Sequence, residues 1–231
     1  MRIDIATLFP SMCDAVLNES IIGRARKRGF IEFYCHDIRA YSNDKHKRVD
    51  DTPYGGGNGM VMQCEPIYQC WLDVCNTIGE KPYTIYMSPK GTVLTQNKAV
   101  EYSKMDYIFL LCGHYEGIDQ RVLDTIVDEE VSIGDYVLTG GELPALVFAD
   151  TVGRLCEGVL ASEECYTEES HYNGLLEYPQ YTRPEVWNGS TVPQVLLSGH
   201  HKNISDWRKF QSVKITKERR PDMYKKYLQD E

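Results

Sequence analysis

Along residues 1–160 the apolar positions switch repeatedly between two spacings. Short apolar runs at 2–8, 31–36, 83–87, 107–112 and 130–133 read as strands. Between and after them, segments at 10–28, 64–78, 95–103, 121–126 and 142–156 repeat their apolar residues at helical spacing, the first ending at Gly29. The run YIFLLC at 107–112 is continuously apolar, as expected of a strand buried on both faces. Strands alternating with helices predict an α/β fold, a mainly parallel sheet with helices on both faces. Ligands of such sheets bind beyond the carboxyl ends of the strands. Three glycine-containing loops follow strand ends here, at 88–91, 113–119 and 134–141, and their convergence would make one pocket.

The pattern changes twice. Residues 42–59 (SNDKHKRVDDTPYGGGNG) have few apolar positions and read as a long exposed loop, which in a compact domain is usually functional or disordered. Residues 161–180 are acidic and weakly patterned and read as a flexible linker. Beyond them 192–197, 204–210 and 221–228 look like short helices with basic faces. The organisation expected is therefore a domain at 1–160, a linker at 161–180 and a small all-α domain at 181–231.

Charge sharpens this division. The 231 residues carry a net charge of −9, which taken whole argues against a polyanionic partner. Yet residues 200–228 hold nine Lys/Arg against three Asp/Glu, whereas 101–170 hold three Lys/Arg against sixteen Asp/Glu. Such asymmetry marks a polyanion-binding surface on an otherwise acidic body. Smaller basic clusters stand at 24–28 and 45–48. The eight cysteines form no CxxC pair and have no histidine at metal spacing, so they read as reduced thiols of a cytoplasmic protein rather than zinc ligands or disulfides. The N-terminus lacks the layout of a signal peptide. No apolar stretch approaches the roughly 18 residues needed to span a bilayer.

The loop SIGDYVLTGGELP (132–144) poses the chemical question. It matches neither GxxxxGK[ST] nor GxGxxG, it has no lysine, and Asp135 and Glu142 flank it with negative charge. A triphosphate is a poor ligand for such a loop. A neutral or cationic ligand rich in hydrogen-bonding groups fits better: glycines let backbone amides and carbonyls approach an adenine ring, and Tyr136, Leu138 and Pro144 supply apolar walls. Acidic surroundings suit a sulfonium, which points to S-adenosylmethionine.

Five blocks, DKHKRVDDTPYGGGNGMVM (44–62), LLCGHYEGIDQRV (110–122), SIGDYVLTGGELPALV (132–147), GLLEYPQYTRPEVWNG (174–189) and LLSGHHKNISDWR (196–208), together resemble the bacterial tRNA (guanine-N1)-methyltransferases of the knotted SPOUT superfamily. The match runs in order over essentially the whole chain. It implies a deep trefoil knot at the C-terminal end of the first domain, a rare exception to ordinary connection rules that periodicity does not predict. It also implies that Tyr86, Ser88, Pro89, Gly113, Glu116, Ile133, Gly134, Asp135, Tyr136, Val137, Leu138, Gly140 and Gly141 hold S-adenosylmethionine, alongside the apolar wall at Pro144. Homodimers sharing their active sites are implied too, with the guanosine 3′ of the anticodon, tRNA position 37, as target; a magnesium requirement is plausible for the family, though no ligand cluster announces it.

Guanine N1 carries a proton at neutral pH and is a poor nucleophile until a base removes it, while a cation holds the charge growing on O6. The resemblance assigns the cation to Arg154. It assigns the base to Glu169, in a motif that reads Glu168-Glu169-Ser170 where the family usually has Glu-Asp-Ser. In-line displacement at the methyl needs no covalent enzyme intermediate, so the cysteines need no role. For tRNA the resemblance and the basic patches nominate Lys45, Arg48 and Asp50 near the front, and Ser198, Gly199, His201, Trp207 and Arg208 in the tail, with phosphate contacts that weaken as salt rises. Other knotted RNA methyltransferases, acting on ribose 2′-hydroxyls or another base, and a non-catalytic RNA-binding module responsive to the same cofactor stay open as alternatives.

Overall fold

The computed structural model describes residues 1–162 and 164–230. It separates into two compact units, Met1–Ala161 and Ser162–Glu231.

The first unit is built on five parallel strands: β1 (Arg2–Thr7), β2 (Glu32–Asp37), β5 (Tyr83–Val93), β6 (Tyr107–Cys112) and β7 (Glu129–Ser132), in the spatial order β2-β1-β6-β5-β7. Two-residue strands β3 (Asp50–Asp51), within the long polar loop, and β4 (Val61–Met62), just after it, pair separately. The central strand β6 buries Ile108 through Cys112 completely, as its unbroken apolar run requires. Helices cover both faces. On one, α3 (Cys64–Ile78) and α5 (Gln120–Ile126) set Ile67, Cys70, Val74, Val122 and Ile126 against Phe109 and Leu111. On the other lie α1 (Pro10–Leu17), α2 (Ser20–Arg28), α4 (Gln96–Tyr102) and α6 (Glu142–Gly153), where Tyr102 packs on the buried Phe148 with ring centroids 5.0 Å apart.

Three local differences from the sequence pattern have physical causes. The single helix expected over 10–28 is two helices, broken where Ser20 takes a φ of +55°. The strand expected to stop at 87 continues to Val93, because β5 pairs β7 in two registers that shift between Met87 and Thr92. The turn at 88–91 therefore lies inside the strand as an irregularity. A Cβ on Gly91 would fall 2.3 Å from the Glu130 carbonyl carbon, so only glycine lets the two backbones approach this closely.

The second unit holds α7 (Glu164–Thr167), α8 (Gln194–Leu197), α9 (His201–Arg219) and α10 (Pro221–Asp230), with one hairpin of two-residue strands, β8 (Val186–Trp187) and β9 (Ser190–Thr191). The hairpin is an addition to the all-helical pattern read from sequence. The short helix expected at 204–210 is a 19-residue helix, since nothing between Lys202 and Arg219 is Gly or Pro. Most of the segment read as a linker, from Ser162 onward, falls within this compact unit. Leu175 is buried, and the Leu176 N–H donates to Thr216 Oγ1 on α9 at 2.8 Å.

Candidate functional site

The strand order fixes where a site can form. The chain leaves β1 toward β2 on one side and leaves β6 toward β7 on the other, so the loop after β6 sits where connections diverge, the place where open α/β sheets bind ligands. Loops following β5, β6 and β7 converge there around one cavity of about 320 Å³, within the size range of small-molecule sites.

Each loop is held by backbone contacts rather than ion pairs. The Gly141 N–H donates to the Gly113 carbonyl at 2.8 Å, and His114 bridges Gly140 in antiparallel fashion, so the third loop is laid along the second. A Cβ on Gly141 would stand 2.7 Å from the Cys112 Cα and 2.9 Å from the Gly113 nitrogen. The second loop leans on the polar insertion, the Glu116 N–H donating to the Met60 carbonyl at 3.0 Å and the Met62 N–H to that of Gly117 at 2.9 Å. Ser132 closes the start of the third loop, its hydroxyl donating to the Gly134 carbonyl at 3.0 Å. Tyr115 takes a φ of +58°, a costly conformation for a tyrosine and the kind of strain that gathers at functional sites.

Every cofactor residue read from the sequence lines this cavity except Asp135, which is exposed and outside the lining. The structure adds residues the sequence reading passed over, chiefly Lys90, His114, Tyr115 and Thr139. Of these, His114 stands out. Its ring lies edge-on to Phe9 and Tyr115, and its Nδ1 is buried with no hydrogen-bond partner among the described residues. Burial, reinforced by the charges of Glu130 and the Cys112 thiol, raises the Tyr86 phenol above its ordinary value, so Tyr86 enters the cavity as a neutral donor. Burial likewise pushes Cys112 well up, leaving it a thiol rather than a nucleophile.

Arg154 caps α6, its N–H donating to the Asp150 carbonyl at 3.1 Å, with its side chain half-buried. In the second unit Glu169 follows α7, half-buried, its N–H donating to the Tyr166 carbonyl at 3.2 Å. Lys45 is exposed; Arg48 is exposed and paired with Asp44 at 2.8 Å; Asp50 opens β3. Ser198, Gly199 and His201 form the exposed entry to α9. Trp207 and Arg208 make ring contacts within the second unit. Trp207 packs near Tyr181, and the Arg208 guanidinium lies 4.7 Å from the Tyr178 ring centroid, fixing the 178–181 segment to α9. The other eight Lys/Arg of 200–228 are all exposed. Among the described residues there is no group of three or more His, Cys, Asp or Glu that could hold a metal ion.

A glycine-lined cavity on three strand tips, an acidic body and a basic tail are the features that comparison with known proteins has to match. The family model for tRNA (Guanine-1)-methyltransferase TrmD matches residues 1–226. The chain belongs to this family. Among its relatives, a tRNA (guanine-N(1)-)-methyltransferase of Ruminiclostridium cellulolyticum is 57% identical over 226 residues, covering 98% of this chain and 97% of the relative. Proteins of the same name from Lachnospira eligens and Clostridioides difficile are 56% and 54% identical, covering 99% and 98% of this chain and 97% and 98% of theirs.

Proposed function

We propose that this protein transfers a methyl group from S-adenosylmethionine to N1 of guanosine in tRNA, at position 37 beside the anticodon. The observation that carries the reading is the cavity itself. It is built from backbone and apolar walls with a single lysine, which suits an adenosyl sulfonium better than a nucleoside triphosphate, and it belongs to a family of that activity. The cavity also has a buried unpartnered acceptor or donor at His114 Nδ1, a neutral phenol at Tyr86 and enough volume for the donor. When bound, the donor supplies a methyl group made electrophilic by its sulfonium.

In this reading Glu169 takes the N1 proton, and Arg154 stabilises the charge that moves onto O6. Glu169 is one methylene longer than the aspartate usual in the family and keeps the carboxylate chemistry. Guanosine N1 is reached with the base out of its stack. The exposed cations of α9 and α10, with Lys45 and Arg48, grip phosphates.

The same account includes a homodimer and a trefoil knot in the first unit. The dimer is supported by an uncovered apolar face where α1 packs on α6, formed by Met12, Val16, Leu143 and Val147. The knot is supported by the way 140–141 returns along 113–114 after β7. No helix among the described residues is long and apolar enough to cross a membrane, and we place the enzyme with its tRNA in the cytoplasm.

Glu169→Gln and Arg154→Ala test the roles. Glu169→Gln should lower kcat by about 10²–10⁴-fold while leaving S-adenosylhomocysteine affinity unchanged. Full methyl transfer by both variants would refute the assignment, and intact RNA binding without any transfer by the unmodified chain would favour a non-catalytic module.

A further inference from the structure

We propose that Lys90 recognises the α-carboxylate of the methyl donor's amino-acid half, with Glu116 as the opposing pole for its ammonium. The proposal rests on the donor reading above and adds which residues select the zwitterionic tail.

Among the residues lining the cavity Lys90 is the one Lys or Arg and Glu116 the one Asp or Glu. Neither side chain has a hydrogen bond or ion pair among the described residues. Two uncommitted opposite charges on one cavity are a complement for a ligand carrying both signs. Both are exposed, so they stand at the mouth, while the apolar lining from Val131, Ile133, Leu138 and Pro144 suits the adenine.

The root of Lys90 is fixed. Its N–H donates to Ser88 Oγ at 3.2 Å, and the next residue, Gly91, lies against the β7 backbone with no room for a side chain. The turn thus presents the ammonium from a rigid base, which reduces the entropy lost on pairing. Charge fixes the partner: the donor has a sulfonium and an ammonium, both repelled by a lysine, and one carboxylate that is not. A single lysine on a cavity that also carries a glutamate cannot neutralise a triphosphate, so the same pair discriminates against nucleotides.

The test is calorimetric titration of the full-length protein and its Lys90→Ala, Lys90→Glu and Lys90→Arg variants with two ligands. S-Adenosylhomocysteine carries the amino-acid half, and 5′-methylthioadenosine lacks it. Lys90→Ala should weaken S-adenosylhomocysteine roughly three- to fivefold, Lys90→Glu more, and Lys90→Arg little, while 5′-methylthioadenosine binding stays constant. The Lys90→Ala protein should also lose much of the salt dependence of S-adenosylhomocysteine binding. Equal weakening of both ligands, or no change in either, would overturn the proposal. So would unchanged S-adenosylhomocysteine binding with a raised KM for tRNA, which would make Lys90 a phosphate contact. Failure of the unmodified protein to bind either ligand would instead remove the donor reading, and this proposal with it.

Discussion

Asp4 illustrates how single residues hold the sheet that carries the site. It is 1% exposed, and it accepts from Arg2 at 2.8 and 2.9 Å and contacts His36 Nε2 at 2.7 Å. Desolvation opposes its ionisation, but the hydrogen bonds from His36 and Arg2 outweigh it, and its pKa lies below the ordinary carboxylate value. A carboxylate that ionises more readily folded than unfolded contributes stability that is complete above the unfolded pKa and lost as pH falls through the folded one. Asp4→Asn should therefore cost about 1.5–3 kcal/mol near neutrality and flatten the fall in stability below about pH 4, as urea melts across pH would show. Gly141→Ala tests the cavity wall. Its Cβ would meet backbone that cannot yield, and we expect S-adenosylhomocysteine affinity to drop at least tenfold with a lowered melting temperature. At this scale the sequence was most informative where chemistry was local. The glycines, Tyr136 and Pro144 announced a cavity by type and spacing, whereas Asp135 faces solvent and Lys90 read as a turn residue, because the β5 irregularity that brings it to the cavity depends on a partner strand distant in sequence.

Among the elements, the strands were legible because burial on both faces leaves continuous apolar runs, as at 107–112. Their order was not, since parallel pairing leaves no mark at the strand termini. The helix at 201–219 was underestimated because a surface helix with scattered apolar positions gives a weak periodic signal. A consequence belongs to α1 and α6. Val16 is 53% exposed and Val147 45%, apolar residues on adjoining helices. If the chain forms the proposed dimer, Val16→Glu combined with Val147→Glu should give a folded monomer in analytical ultracentrifugation and abolish methyl transfer; an active monomer would contradict a site shared between subunits.

For the whole molecule, the division of charge is the property that links fold to substrate. An acidic α/β unit presents the cavity, and a helical unit presents exposed cations on α9 and α10. Sequence composition carried that contrast in full, while the proposals of a knot and a dimer started from the resemblance, since neither feature would leave a periodic trace. The most direct measurement is mass spectrometry of nucleosides from unmodified tRNA transcripts incubated with the protein and S-adenosylmethionine, using transcripts that differ only at position 37. The account predicts 1-methylguanosine from the transcript with guanosine there and no methylated nucleoside from its adenosine counterpart. Methyl on a ribose, on another base, or on neither transcript would contradict it.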